Sequence, residues 1–173
     1  KVYLQPKVSP SETRACQAEA LVRWFHPQEG VIYPSEFIPI FEKNGKICSL
    51  DLYMFEEVCR LIDRWIKEKK ALVSISVNVS RFHLREAGSE IWKEYKRILD
   101  RYDIPEGVIE MELTETILLE ENQIPFVKAV LNGFRSCGLR VALDDFGFAY
   151  SSLSMLKEFA VDTLRSEEHT SEL

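Results

Sequence analysis

The chain has 173 residues and a formal net charge of −6. That length suits one domain or part of one, and the charge argues against binding DNA or RNA, whose phosphates are held by clustered Lys and Arg. No apolar run approaches the roughly 18 residues that a membrane helix needs, so this segment is expected to make no membrane contact.

The four cysteines have no C-x-x-C spacing and follow no secretory leader, which reads as free thiols in a reducing, cytoplasmic compartment. The three histidines are scattered and form no zinc pattern.

Residues 2–8 and 16–24 read as strands joined by the turn-forming "SPSETRA", too short for a parallel crossover, so the chain is expected to open with an antiparallel hairpin. A short helix starts at Pro34 and ends near Asn44-Gly45, and residues 50–69 carry a single apolar stripe at helical spacing. Strand 72–79, helix 82–102, strand 108–113, helix 124–137 and strand 140–144 follow.

Helix and strand alternating at this spacing imply parallel strands with helical crossovers, in an open doubly wound sheet or a closed α/β barrel. "SISVNVS" separates the two, because Ser74, Ser76, Asn78 and Ser80 share one face and Ile75, Val77 and Val79 the other. A polar inner face suits a barrel mouth, whereas an open parallel sheet covered on both sides carries nearly continuous apolar strands.

"AVDTL" carries the last strand signal, and after Leu164 the text becomes "RSEEHTSEL". Such a polar end reads as a frayed terminus, but it is also the translation of AGATCGGAAGAGCACACGTCTGAACTC, a string resembling a common sequencing adapter. The expected division is therefore 1–164 as part of a domain and 165–173 as a non-native tail. A full α/β barrel takes about 250 residues, so a C-terminal portion is expected to be missing.

Acids sit on several strands. Glu19, Leu21 and Arg23 share a face by the two-residue period, which reads either as an internal salt bridge or as a metal ligand beside a phosphate clamp. Glu110, Glu112 and Thr114 share another face, as do Ala142 and Asp144, and Glu115 competes between helix capping and a place in the site. Two carboxylates about 4 Å apart repel by roughly 4 kcal/mol at an effective dielectric near 20, so a divalent cation is the natural way to gather several.

Carboxylates with an Asn carbonyl favour magnesium or manganese over zinc or copper. Asp144 and Asp145 both reach one cluster only where the backbone leaves the strand, which Gly147 permits. Two acids at a strand tip suit two ions, an arrangement that activates water and clamps a phosphodiester. Glycine-rich phosphate loops are absent from the sequence.

"YLQPKV", "EALVRWFHPQEGVIYPSEFIPIFEKNGKI", "SVNVSRFHL", "ELTET", "LDDFG" and "YSSLSML" together closely resemble the EAL family of bacterial cyclic-di-GMP phosphodiesterases, in order and spacing across residues 1–164. The resemblance implies a TIM-like (β/α)8 barrel with an antiparallel first strand, here present only in part. It also implies metal-dependent hydrolysis of cyclic di-GMP to linear pGpG. Glu19, Asn78, Glu112 and Asp144 would ligate one Mg2+ or Mn2+, with Asp144 bridging to a second ion held by Asp145.

Gln5 and Arg23 would contact the dinucleotide, and Glu115 would anchor the loop after "DDFG". Trp24 and His26 match the pattern and are read as structural. Phe148 and Ala149 depart from the family's small residue and Gly, and Arg165 stands where the family has Lys.

That Lys, a later Glu that acts in proton transfer and a later Gln lie beyond Leu164, so no catalytic residue is retained and the fragment is expected to be inactive. The alternative is an inactive EAL domain that serves as a cyclic-di-GMP receptor. Dimerisation in the full-length protein and fusion to GGDEF or sensory domains are further implications of the family.

Overall fold

Apolar and polar side chains alternate along the strands, and the fold sorts them onto opposite sides of one sheet. A computed structural model describes residues 1–7, 17–86, 90–114, 124–144, 159 and 161–164. Strand β1 (Val2–Lys7) runs antiparallel to β2 (Gln17–Val22), with Gln5 opposite Glu19. Pro6 is tolerated because β1 is an edge strand.

The chain next forms the small hairpin β3 (Trp24–His26) and β4 (Gly30–Ile32), then helices α1 (Pro34–Lys43) and α2 (Lys46–Lys67). After these come β5 (Ser74–Asn78), α3 (Arg81–Glu86), α4 (Trp92–Leu99), β6 (Ile109–Thr114), α5 (Ile124–Ser136), β7 (Arg140–Asp144) and β8 (Thr163–Leu164). The main sheet has the order β1-β2-β5-β6-β7-β8, and every neighbour after the first pair is parallel. This is a partial α/β barrel with an antiparallel first strand.

Register defines the two faces. Glu19 pairs with Ser76, Ser76 with Glu110, and Asn78 with Glu112. These polar side chains line the face turned away from the helices. On the other face Ile75, Val77, Ile109, Met111, Leu113, Val141 and Leu143 are all buried and belong to one core cluster with Phe55, Tyr95 and Phe134 of the helices.

Tyr95 is the centre of that cluster, with ring centroids 4.9 Å from Phe55 and 5.2 Å from Phe134 in edge-to-face geometry. Removing each such large side chain from water contributes about 1.5–3 kcal/mol. The sheet is therefore held from its helical side, and its polar side is left available for chemistry.

Local signals explain most element ends. Pro34 opens α1, and Glu36 Oε1 accepts from the Tyr33 N–H at 3.0 Å, one arm of a capping box. Gly45, at φ +73°, turns the chain between α1 and α2, and Asn44 Oδ1 accepts from the Lys46 N–H at 3.0 Å. That turn lets α2 start at Lys46, four residues before the expected 50.

The expected helix 82–102 is two helices, α3 and α4, with Ala87-Gly88-Ser89 between them in sequence; glycine is a poor helix former. The β3–β4 hairpin was not anticipated. Its turn residues Gln28 and Glu29 donate backbone N–H groups to His26 Nδ1 at 3.4 and 3.3 Å, and Trp24 packs on Phe37 and Phe41.

Cys16, Glu115, Asp145, Gly147, Phe148, Ala149 and the tail 165–173 lie outside the described residues. Among the described residues no helix is long and apolar enough to cross a membrane.

Candidate metal centre at the carboxyl ends of the strands

The strand period and the parallel register together bring Glu19 from β2, Asn78 from β5 and Glu112 from β6 to one place. Asn78, the last residue of β5, lies opposite Glu112, and its Nδ2 donates to Glu19 Oε1 at 3.0 Å. Glu112 is only 2% exposed, whereas Asn78 is open to solvent at the rim.

Asp144 ends β7 on the same face. It lies opposite Thr114, one inward-facing position nearer the rim than Glu112.

Between the two glutamates sits a cation that belongs to the chain. Lys7 Nζ lies 3.0 Å from Glu19 Oε2, 3.3 and 3.2 Å from the two Glu112 carboxylate oxygens, and 3.1 Å from Ser76 Oγ. Lys7 was not among the expected site residues, although it follows Gln5 by two residues and so shares its strand face.

The donor chemistry fits a hard divalent ion, because Glu19, Asn78 and Glu112 offer oxygens and the ammonium marks where their negative potential converges. Among the described residues no group of three or more His, Cys, Asp or Glu stands together to hold a metal. The described centre is two carboxylates with an amide, and Asp145 is outside the described residues.

The two residues expected to contact the dinucleotide are arranged differently. Gln5 is exposed and in register with Glu19. Arg23 follows the last residue of β2 and still exchanges backbone hydrogen bonds with Lys1 at 2.9 Å, and its Nη1 donates to the Val22 carbonyl at 2.8 Å. Arg23 therefore makes no salt bridge with Glu19 here, and its guanidinium is folded onto its own backbone.

A cleft of about 510 Å3 opens at the carboxyl ends of β5 and β6, lined by Asn78, Ser80, Arg81, Glu112 and Thr114, with Asp51 at its edge. A larger one, about 620 Å3, lies outside against α2, lined by Tyr53, Glu57, Arg60 and Arg64 among others. It contains none of the strand acids. Parallel α/β barrels place their chemistry at the carboxyl ends of the strands, and the smaller cleft is the one located there.

Behind this cleft lies a buried polar pair. Asp51 of α2 accepts the Ser80 N–H on Oδ2 at 2.8 Å, holding the chain two residues beyond Asn78. Burial pushes Asp51 up to about 7, with the Ser80 hydrogen bond opposing that rise. His83, 1% exposed, has Nε2 at 3.5 Å from Asp51 Oδ2 outside hydrogen-bonding geometry, and its interaction with the Cys48 backbone favours the charged ring only weakly against burial.

Burial pushes His83 down to about 4. Asp51 was legible as an acid at Ile47 + 4 within the apolar stripe of α2, a signal the sequence reading did not use.

A second polar layer lies nearer the amino ends of the strands. Thr163 Oγ1 donates to Glu110 Oε2 at 2.9 Å, and Arg140 Nη2 donates to Thr163 Oγ1 at 3.1 Å and lies 3.5 Å from Glu110 Oε2. Glu110 is 1% exposed, so this acid is part of the packed underside of the site.

The chain is similar to known proteins over nearly its whole length. It is 34% identical over 168 residues to the cyclic di-GMP phosphodiesterase PdeR of Escherichia coli, covering 96% of this chain and 24% of that protein. It is 31% identical to MucR of Pseudomonas aeruginosa, a bifunctional diguanylate cyclase/cyclic di-GMP phosphodiesterase, covering 95% of this chain and 23% of that one. It thus spans about a quarter of the length of these relatives.

A solved structure of the PaMucR phosphodiesterase in complex with c-di-GMP superposes with a TM-score of 0.86 at 29% identity, covering 96% of this chain and 66% of that one. The EAL domain model matches residues 1–170, and with the fold and the strand-end acids in agreement, the chain belongs to the EAL domain family.

Proposed function

We propose that this chain is part of a phosphodiesterase that hydrolyses cyclic di-GMP to linear pGpG. The supporting observation is the meeting of Glu19, Asn78 and Glu112 around a cationic position at the carboxyl ends of parallel strands. EAL phosphodiesterases are divalent-metal dependent. In this reading Glu19, Asn78, Glu112 and Asp144 hold one Mg2+ or Mn2+ and Asp145 holds a second, which supply Lewis acidity toward a phosphoryl oxygen and acidify bound water.

The chain's own residues set the geometry. Glu112 enters from a nearly water-free position, and the Asn78 amide fixes the rotamer of Glu19. Asp51 anchors the backbone that follows Asn78. Arg23 takes a phosphate by exchanging its Val22 carbonyl for phosphoryl oxygens, a bidentate match that guanidinium geometry favours. Gln5, exposed opposite Glu19, offers an amide to the same ligand, and the role left for Glu115, outside the described residues, would be to anchor the loop that follows "DDFG".

Residues 1–164 are read as domain sequence that continues in a longer protein, which works in the cytoplasm and is fused to cyclase or sensory modules. Calorimetry of the chain with cyclic di-GMP and Mg2+, alongside chromatographic assay of the continuous parent protein for pGpG, tests this. Mg2+-dependent binding with pGpG release is the expected result. Binding without release by the parent would make it a receptor, and absence of binding would end both readings.

A further inference from the structure

Lys7 makes contacts that a surface lysine does not find. Its ammonium meets side chains from three strands: Glu19 on β2, Ser76 on β5 and Glu112 on β6. An ammonium has three N–H donors, and three acceptor groups surround this one. The stem starts from β1 opposite Gln17, two residues before Glu19, so the head is delivered along a flexible four-carbon arm from the lower end of the sheet.

We propose that Lys7 is a built-in counter-ion of the candidate metal centre: it occupies the position between Glu19 and Glu112 in the metal-free chain and is displaced when a divalent cation enters. This rests on the reading of Glu19, Asn78 and Glu112 as metal ligands. An ion held by both carboxylates takes oxygens that Nζ already contacts at 3.0–3.3 Å, and like charges at such spacing repel strongly in a partly dry site.

Lysine suits the exchange because its charge is compact and its arm has solvent to withdraw into, the side chain being 26% exposed. Without this cation, Glu112 would be a nearly buried acid beside another acid. With it, both carboxylates have a cationic partner at 3.0–3.3 Å, and metal affinity is set by competition against Lys7.

The test is Mn2+ binding to the whole chain, followed by electron paramagnetic resonance of free Mn2+, for the parent sequence and Lys7→Met. The variant is expected to bind about tenfold tighter, a modest share of what one displaced unit charge commands at this distance. In parallel, with lysine labelled at Cε, Mg2+ is expected to move the Lys7 resonance towards those of solvent lysines. That measurement on the unmutated chain stands alone should Lys7→Met fail to fold.

Equal or weaker Mn2+ affinity in a folded Lys7→Met, or a Lys7 resonance that Mg2+ leaves in place while binding occurs, overturns the proposal and spares the metal centre. Absence of Mn2+ binding to either protein overturns both.

Discussion

Asp51 and His83 carry opposite proton linkage within one buried contact. Asp51 rises from 3.8 to about 7, so the folded chain holds its proton where the unfolded chain has lost it, and stability from this group is lost as pH climbs between those values. His83 falls from 6.5 to about 4, so its contribution is present above 6.5 and is lost as pH falls towards 4.

Between about 4 and 6.5 the two slopes offset, and above that Asp51 alone pulls stability down to about 7. Asp51→Asn keeps an acceptor for the Ser80 N–H and removes one of the slopes. Its denaturant stability is expected to rise by on the order of 2 kcal/mol from pH 4 to 6.5 and then level off, whereas the parent chain stays nearly flat and then declines. A flat profile for the variant over pH 4–6.5 would contradict the assignment of His83.

Packing between helices sets the next test. Gly133 of α5 faces the Trp92 indole of α4, and a Cβ built there would meet ring atoms at 2.3 Å. Alanine is the better helix former by about 1 kcal/mol, but overpacking a rigid ring typically costs 1–3 kcal/mol, and at this distance the upper end applies. Gly133→Ala is expected to lower stability by about 2 kcal/mol and the melting temperature by several degrees, read by calorimetry. A stabilised variant would mean that α4 and α5 do not approach this closely.

At the same scale, the sequence revealed elements better than the joints between them. β7 is found where expected, at Arg140–Asp144, because one apolar run is bounded by a polar turn and two acids. The α3–α4 break and the β3–β4 hairpin were missed, because a helical period reads across Gly88 and a strand period reads across Arg23.

The internal salt bridge between Glu19 and Arg23 is absent because the guanidinium bonds the Val22 carbonyl instead, a choice of rotamer that strand alternation does not fix. Lys7 escaped notice for a different reason: a lone lysine on an edge strand reads as solvent-facing, and only the converging register of three other strands turns it inward. Glu19, Asn78 and Glu112 were legible because polar residues at inward positions of buried strands are costly without a partner.

For the molecule as a whole, ion binding at the proposed centre would be linked to folding. A ligand taken up only by the folded chain stabilises it by about 2.7 kcal/mol at a hundred times its dissociation constant. A chain of this size gains about 2–4 °C per kcal/mol, so Mg2+ is expected to raise the melting temperature by roughly 5–10 °C, chelation to reverse the gain, and Glu112→Gln to abolish it. An unmoved melting curve for the unmutated chain in saturating Mg2+ would remove the centre.

The Glu110–Arg140–Thr163 layer beneath the acids ties β6, β7 and β8 together through side chains as well as backbone. Trimming the Thr163 hydroxyl would cut a cross-link that spans three strands, and β8, only two residues long, would loosen first.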